Sequence, residues 1–319
     1  MDHVRSGLRL CDFKVMEMAS EELKCSADWK KLLDSVDTFL IDCDGVLWSG
    51  DADPIPGAQD AIAYLRDQGK NLFFVSNNSS KSRKDVLEKF KKLGFSGSLE
   101  EMVTSTYVAA HYLKHTLKVT GKVFLVGNQG LLEEMSLQGI EIFGTGPDPL
   151  QGTLQDWVNM ELDPPSVDAV AVGLDWHISY MKLIRAASYL AKPECHYVAT
   201  NEDYVLPTKG KIVIPGTGTV VKAVSHCSLR TPIIVGKPHK PMYDVISSLA
   251  EIDPARTCMI GDMLSTDIAF GKNNSLKTLL VFSGNTSREY YKTYSGSNIA
   301  DYTSEAISTV TSNKRLKCI

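Results

Sequence analysis

The chain has 319 residues and a formal net charge of -4, with 34 Lys and Arg against 38 Asp and Glu. Such balance offers no basic face for nucleic acid, and no uninterrupted apolar run reaches the length of a membrane span. Seven cysteines without a CxxC pair argue against a disulfide framework and for a reducing compartment, so a soluble, cytoplasmic protein of one large or two moderate domains is expected.

The first thirty or so residues mix acids and bases (Asp2, Arg5, Arg9, Asp12, Lys14, Glu17) and read as an N-terminal extension or short helix. The pattern proper starts with the apolar run Phe39-Leu40-Ile41, which stops on Asp42-Cys43-Asp44-Gly45. In a strand, Asp42 and Asp44 leave one face and Cys43 the other. Two anions so close are costly unless a cation sits between them or one is protonated. Cys43, turned into apolar packing, reads as an inert core thiol.

Ala58, Ile62 and Leu65 recur at helical spacing, and residues 70–75 form a short apolar run that ends in Ser76-Asn77-Asn78. Val86, Phe90 and Leu93 mark the next helix, with Ser79 and Ser80 placed to cap its start and Gly94 to stop it. Strand, helix, strand, helix implies parallel strands with right-handed crossovers, whose ligands bind beyond the carboxyl ends of the strands. From about Gly121 a second α/β pattern begins, with strands near 122–127, 169–174 and 196–200 and a helix over 180–190. It reads as a unit inserted into the first, which resumes at Pro232-Ile233-Ile234-Val235-Gly236-Lys237. Residues 258–262 give another strand ending on a carboxylate, Asp262, followed by Asp267, and residues 278–282 a last strong strand.

Strand ends thus deliver Asp42, Asp44, Ser76, Asn77, Lys237, Asp262 and Asp267 to one crevice. Clustered carboxylates suit a hard divalent cation such as magnesium, a lysine and Ser76 would neutralise and hold phosphoryl oxygens, and a carboxylate can serve as nucleophile. A second acid two residues on is placed to move the proton.

Asp42-Cys43-Asp44-Gly45-Val46-Leu47-Trp48, Ser76-Asn77-Asn78, Gly236-Lys237-Pro238 and Gly261-Asp262 through Thr266-Asp267-Ile268 resemble the four motifs of the haloacid dehalogenase-like hydrolases. More narrowly they resemble the 4-nitrophenylphosphatase group, which includes phosphoglycolate and pyridoxal phosphate phosphatases. The resemblance implies a doubly wound, Rossmann-like α/β core over residues 36–117 and 231–319, after an extension over 1–35. It also implies an inserted α/β cap of the C2 type over 118–230. It implies a magnesium-dependent phosphatase of small phosphorylated metabolites, with phosphotransfer or a non-catalytic scaffold as the alternatives.

By the same resemblance Asp42 is nucleophile and metal ligand, and Asp44 is acid/base with its carbonyl oxygen on the metal. Ser76, Asn77 and Asn78 bind phosphate, Lys237 stabilises charge, Asp262 ligates the metal and Asp267 supports Lys237 or the metal from behind. In the cap, Asp175, His177, Asn201 and Asp203 are the specificity candidates, and relatives often dimerise through the cap. Met263 stands where many relatives carry Arg or Asn. Gly216-Thr217-Gly218 looks like a phosphate cradle but is better explained as a tight turn near the cap hinge.

Overall fold

The computed structural model describes residues 20–50, 53–206 and 211–312. Expectations that fall on the first nineteen residues lie outside the described residues. Among the described residues no helix is long and apolar enough to cross a membrane.

Two parallel sheets carry the fold. The larger has seven strands in the order Glu21–Glu22, Tyr302–Ser304, Lys277–Val281, Thr257–Gly261, Thr38–Ile41, Asn71–Ser76 and Met102–Thr104. Every pairing in it is parallel. Phe39, Leu40 and Ile41 are fully buried, because helices cover both faces of such a sheet and leave no solvent side for alternation. The chain winds outward from Thr38–Ile41 to Asn71–Ser76 on one side and returns at Thr257–Gly261 on the other. The carboxyl end of Thr38–Ile41 is therefore a switch point, where crossovers diverge and leave a crevice.

The smaller sheet runs Ile233–Ile234, His196–Ala199, Ala169–Val172, Val123–Val126 and Ile142–Phe143, again all parallel. The run at 232–237 differs from its expected place: only Ile233–Ile234 is strand, and it pairs with His196–Ala199 in the smaller sheet. The chain re-enters the larger unit through the loop that carries Lys237. Within residues 20–35 the short-helix alternative matches the helix Ser26–Ser35, and the segment is packed against the larger unit. Glu21–Glu22 pairs with Tyr302–Ser304, and the helix Ser26–Ser35 buries Trp29, whose indole nitrogen donates to Thr309 Oγ1 at 2.9 Å. The helix Arg83–Lys92 is capped by Ser82 through a capping box with Asp85, not by Ser79 or Ser80. Ser79 instead bonds Thr217 at 2.7 Å.

The two units share one apolar interior. Leu40, Val75 and Met259 of the larger sheet and Val123, Leu125, Ala171 and Val198 of the smaller belong to the same packed cluster. The helix Gln129–Leu137 sits so close to the larger unit that a Cβ on Gly130 would lie 2.3 Å from the Lys81 carbonyl carbon. Gly130→Ala should therefore cost about 1–3 kcal/mol of stability through backbone displacement; urea unfolding that shows no loss would contradict this close seating.

Candidate active site

Asp42 follows the Thr38–Ile41 strand, and its backbone N–H, bonded to Ile260 O at 2.9 Å, extends the pairing by one residue. Its carboxylate is buried and meets Lys237 Nζ at 2.6 Å. That ammonium also donates to Val75 O at 2.9 Å and pairs with Asp267 Oδ1 at 2.8 Å. Asp267 Oδ2 accepts the backbone N–H groups of Asp262 and Met263 at 3.2 and 3.1 Å. Met263 therefore contributes through its main chain, and an apolar side chain is tolerated there.

Asp262 is clamped from the other side: Asn285 donates its backbone N–H and its side-chain amide to Asp262 Oδ2 at 2.6 and 2.8 Å. Side chains are excluded around it. A Cβ on Gly45 or Gly284 would come within 2.2 or 2.0 Å of Asp262 Oδ2, and Gly45 further needs its φ of +87° to turn the chain after Asp44. Asn285 and Gly284 were not singled out from sequence, although Ser283-Gly284-Asn285 carries the same signal as the other motifs, a buried strand ending in a polar cluster.

Asp42, Asp262 and Asp267 are buried, and their oxygens lie within 4.8 Å of one another. Three carboxylates face one ammonium, and the electrostatics register the imbalance. Burial, opposed by Lys237 and reinforced by Asp267 and Asp262, pushes Asp42 well above the usual carboxylate range. Burial and Asp267 push Asp262 up to about 7. Burial works against the charge on Lys237, but Asp267 and Asp42 hold it above an ordinary lysine. Hard oxygens, an excess of buried negative charge and the glycine cradle around Asp262 fit a divalent cation.

Asp44 stands apart, partly exposed, its Oδ1 accepting the Trp48 indole N–H at 2.9 Å. Burial raises its pKa, with Lys89 and the Trp48 bond pulling the other way. Cys43 is fully buried and its thiol is pushed well up by burial and the adjacent acids, as expected of an inert core residue.

Ser76 is buried at its strand end and accepts the Asn78 N–H at 3.1 Å. Asn77 is committed to the loop of Lys237 and does not offer its side chain to a phosphate. Asn77 Oδ1 accepts the Lys237 N–H at 2.9 Å and its amide donates to Lys237 O and Asp203, at 3.0 and 3.2 Å. Asn78 Oδ1 accepts the Ser80 and Lys81 N–H groups, each at 3.0 Å, and so closes its own turn. These amides hold the loop that presents Lys237 and the turn after Ser76.

The cap candidates divide similarly. Asp175 forms a fully buried pair with Lys182 at 2.5 Å and accepts the His177 N–H at 2.8 Å, so its carboxylate is spent on the turn. His177 itself is exposed. Asn201 is buried and donates to Asn77 O at 2.7 Å, while Asp203 reaches the Asn77 amide. These bonds tie the smaller unit to the motif that holds Lys237. Gly216 and Gly218 pack their backbones against Glu202, Asp203 and Tyr204, as a tight turn requires. Two open grooves, of about 560 and 630 Å³, lie near Lys222 and Thr231, and none of the clustered carboxylates lines them.

Comparison with known proteins agrees with this geometry. Residues 39–141 match the family described as haloacid dehalogenase-like hydrolase, and residues 234–306 the one described as HAD-hydrolase-like. Glycerol-3-phosphate phosphatase of Rattus norvegicus is 42% identical over 86% of this chain and 89% of its own. Phosphoglycolate phosphatase 2 of Arabidopsis thaliana is 41% identical over 83% and 89%. Among solved structures, a glycerol phosphate phosphatase from Mycobacterium tuberculosis in complex with magnesium superposes with a TM-score of 0.73 at 26% identity, over 88% of this chain and 77% of its own. The chain belongs to the haloacid dehalogenase-like hydrolases.

Asp203 supplies a test of the bridge between the units. Burial raises its pKa to about 6 against the Asn77 bond, so the folded state binds its proton more tightly than the unfolded state and the ionised group costs stability as pH rises through 6. Asp203→Asn keeps an acceptor for Asn77. Its stability relative to wild type should rise from about pH 4 to about pH 7; the same stability difference by urea unfolding at the two values would remove the assignment.

Proposed function

We propose that this chain is a magnesium-dependent phosphatase of small phosphorylated metabolites that works through an aspartyl-phosphate on Asp42. The observation that carries the proposal is the buried carboxylate cluster held against a single ammonium, Asp42 at 2.6 Å from Lys237. Asp42 and Asp262, with Asp267 beside them, are the acids that would hold the cation, and the carbonyl oxygen of Asp44 joins them in the reading from resemblance. When bound, magnesium supplies positive charge and a fixed place for a phosphoryl oxygen.

The remaining steps fall to the side chains. Asp42 attacks phosphorus as the bond to the leaving oxygen breaks, and Lys237 opposes protonation of the attacking carboxylate and neutralises phosphoryl charge. Asp44, raised by burial, gives its proton to the leaving oxygen and then takes one from the water that cleaves the acyl phosphate. Ser76 and main-chain N–H groups hold the phosphoryl oxygens, while Asn77 and Asn78 fix the loops around them. Hydrolysis is favoured over phosphotransfer because relatives on both sides of the comparison are named phosphatases.

Relatives named for glycerol 3-phosphate and phosphoglycolate support a short-chain phosphate ester as substrate, with pyridoxal phosphate and 4-nitrophenyl phosphate as further candidates from the resemblance. Glycerol 3-phosphate was not anticipated from sequence. The two sheets support a division into a catalytic core (36–117 and 231–319) and a cap (118–230) except at the second boundary, because Ile233–Ile234 belongs to the smaller sheet. Free Cys25, Cys43, Cys195, Cys227 and Cys258 support a reducing, cytoplasmic setting. Exposed Trp176, Ile178 and Tyr180 support a homodimer through the cap.

Asp42→Asn should lower kcat by at least about 10³-fold, and acid-quenched wild type should carry phosphate on Asp42 by mass spectrometry. Turnover that survives the substitution, or excess chelator, would sink the mechanism. Across a panel of phosphate esters, His177→Ala should change the ratio of kcat/KM values between substrates; an unchanged ratio would remove His177 from the specificity set.

A further inference from the structure

We propose that Trp48 is a positioning residue for Asp44, aiming its free carboxylate oxygen at the leaving group. The inference rests on the acid/base assignment of Asp44. Trp48 is 2% exposed, so its indole N–H must find a protein acceptor or stay unpaired in the interior. The acceptor is Asp44 Oδ1 at 2.9 Å. That bond occupies one oxygen of the carboxylate and leaves the other for proton transfer.

The indole is itself held on every side. Phe90 and Phe95 meet it edge-on, with centroids 6.3 and 6.2 Å away, and the Lys89 ammonium sits 4.5 Å from the ring centroid. Lys89 is anchored in turn by donating to Gly50 O at 2.8 Å. The backbone closes the same turn: Gly45 N–H donates to Trp48 O at 2.7 Å, Trp48 N–H to Cys43 O at 3.2 Å, and Ile55 N–H to Leu47 O at 2.8 Å. Among the described residues the Trp48 bond is the hydrogen bond that the Asp44 carboxylate makes, and the side chain is otherwise partly exposed. The donor therefore sets the carboxylate's direction, and the aromatic cluster sets the donor's. A smaller aromatic residue would fill most of the same space, so the nitrogen is what distinguishes tryptophan here.

In the step concerned, the bond from Asp42 to phosphorus forms, the bond from phosphorus to the leaving oxygen breaks, and the proton on Asp44 passes to that oxygen. A nitrophenolate leaves readily without a proton, whereas an alkoxide requires one. Misdirection of Asp44 should thus be felt according to the leaving group, which general loosening of the fold would not produce.

The experiment compares kcat/KM for glycerol phosphate and for 4-nitrophenyl phosphate in wild type and Trp48→Phe, with magnesium. The loss on glycerol phosphate should exceed the loss on 4-nitrophenyl phosphate by on the order of 10-fold. The ratio of the two values in one sample does not depend on the folded fraction, so it remains readable if the variant is less stable. Benzothienylalanine at position 48, with sulfur in place of N–H on the same ring frame, should give the same ratio. Equal losses on both substrates, or no loss on glycerol phosphate, would overturn the proposal. Asp44→Asn separates the two levels of argument. Full turnover of glycerol phosphate by that variant would remove the acid assignment and this inference with it, whereas its failure alongside equal losses in Trp48→Phe would overturn the Trp48 role alone.

Discussion

The site depends on one imbalance of charge: buried Asp42, Asp262 and Asp267 around the single ammonium of Lys237. Such a cluster is unfavourable in an apolar interior, and a fold retains it only where surrounding structure fixes each member. Much of the nearby architecture does that fixing. Asn77 binds the backbone of Lys237 on both sides, Asn285 grips Asp262, and Asp267 takes the N–H groups at the end of the Thr257–Gly261 strand. The same imbalance sets burial, which raises the proton affinity of Asp42, against Lys237, which lowers it.

The smaller unit is joined to this apparatus more firmly than a loose lid would be. It shares an apolar cluster with the larger sheet, it seats Gly130 on the main chain at Lys81 and Ser82, and Asn201 and Asp203 reach the same asparagine that holds Lys237. Polar residues of the insert therefore bear on the geometry of catalysis as well as on access to it. This explains why two of the residues expected to read the substrate, Asp175 and Asn201, are instead consumed in structure: each sits just past a strand end, where a turn needs an acceptor or donor at once.

Chemistry proved more legible than connectivity. Buried strands that end in carboxylates or a lysine are conspicuous because burial of charge is rare, so Asp42, Lys237 and Asp262 stand out from local sequence. Strands of two or three residues, such as Met102–Thr104 and Tyr302–Ser304, are too short to show periodicity. Ile233–Ile234 looks like part of the larger sheet because its neighbours in sequence are apolar, and only pairing with His196–Ala199 assigns it to the smaller one. Asn285 lies more than twenty residues from Asp262, and nothing local links them.

The sequence by itself determined the alternation of strands and helices, the parallel sheets that follow from it, and the inventory of charged groups at the strand ends. Those features depend on short-range spacing and on the cost of burying charge, both of which can be read along the chain. Tertiary structure decided which oxygens and amides of that inventory stay available. Asn77 and Asp175 are spent on holding loops, Asp267 is divided between Lys237 and the N–H groups of Asp262 and Met263, and Asp44 is turned toward Trp48. A hydrogen-bond partner is chosen in three dimensions, so the same residue type at the same kind of strand end can be a reagent or a clamp.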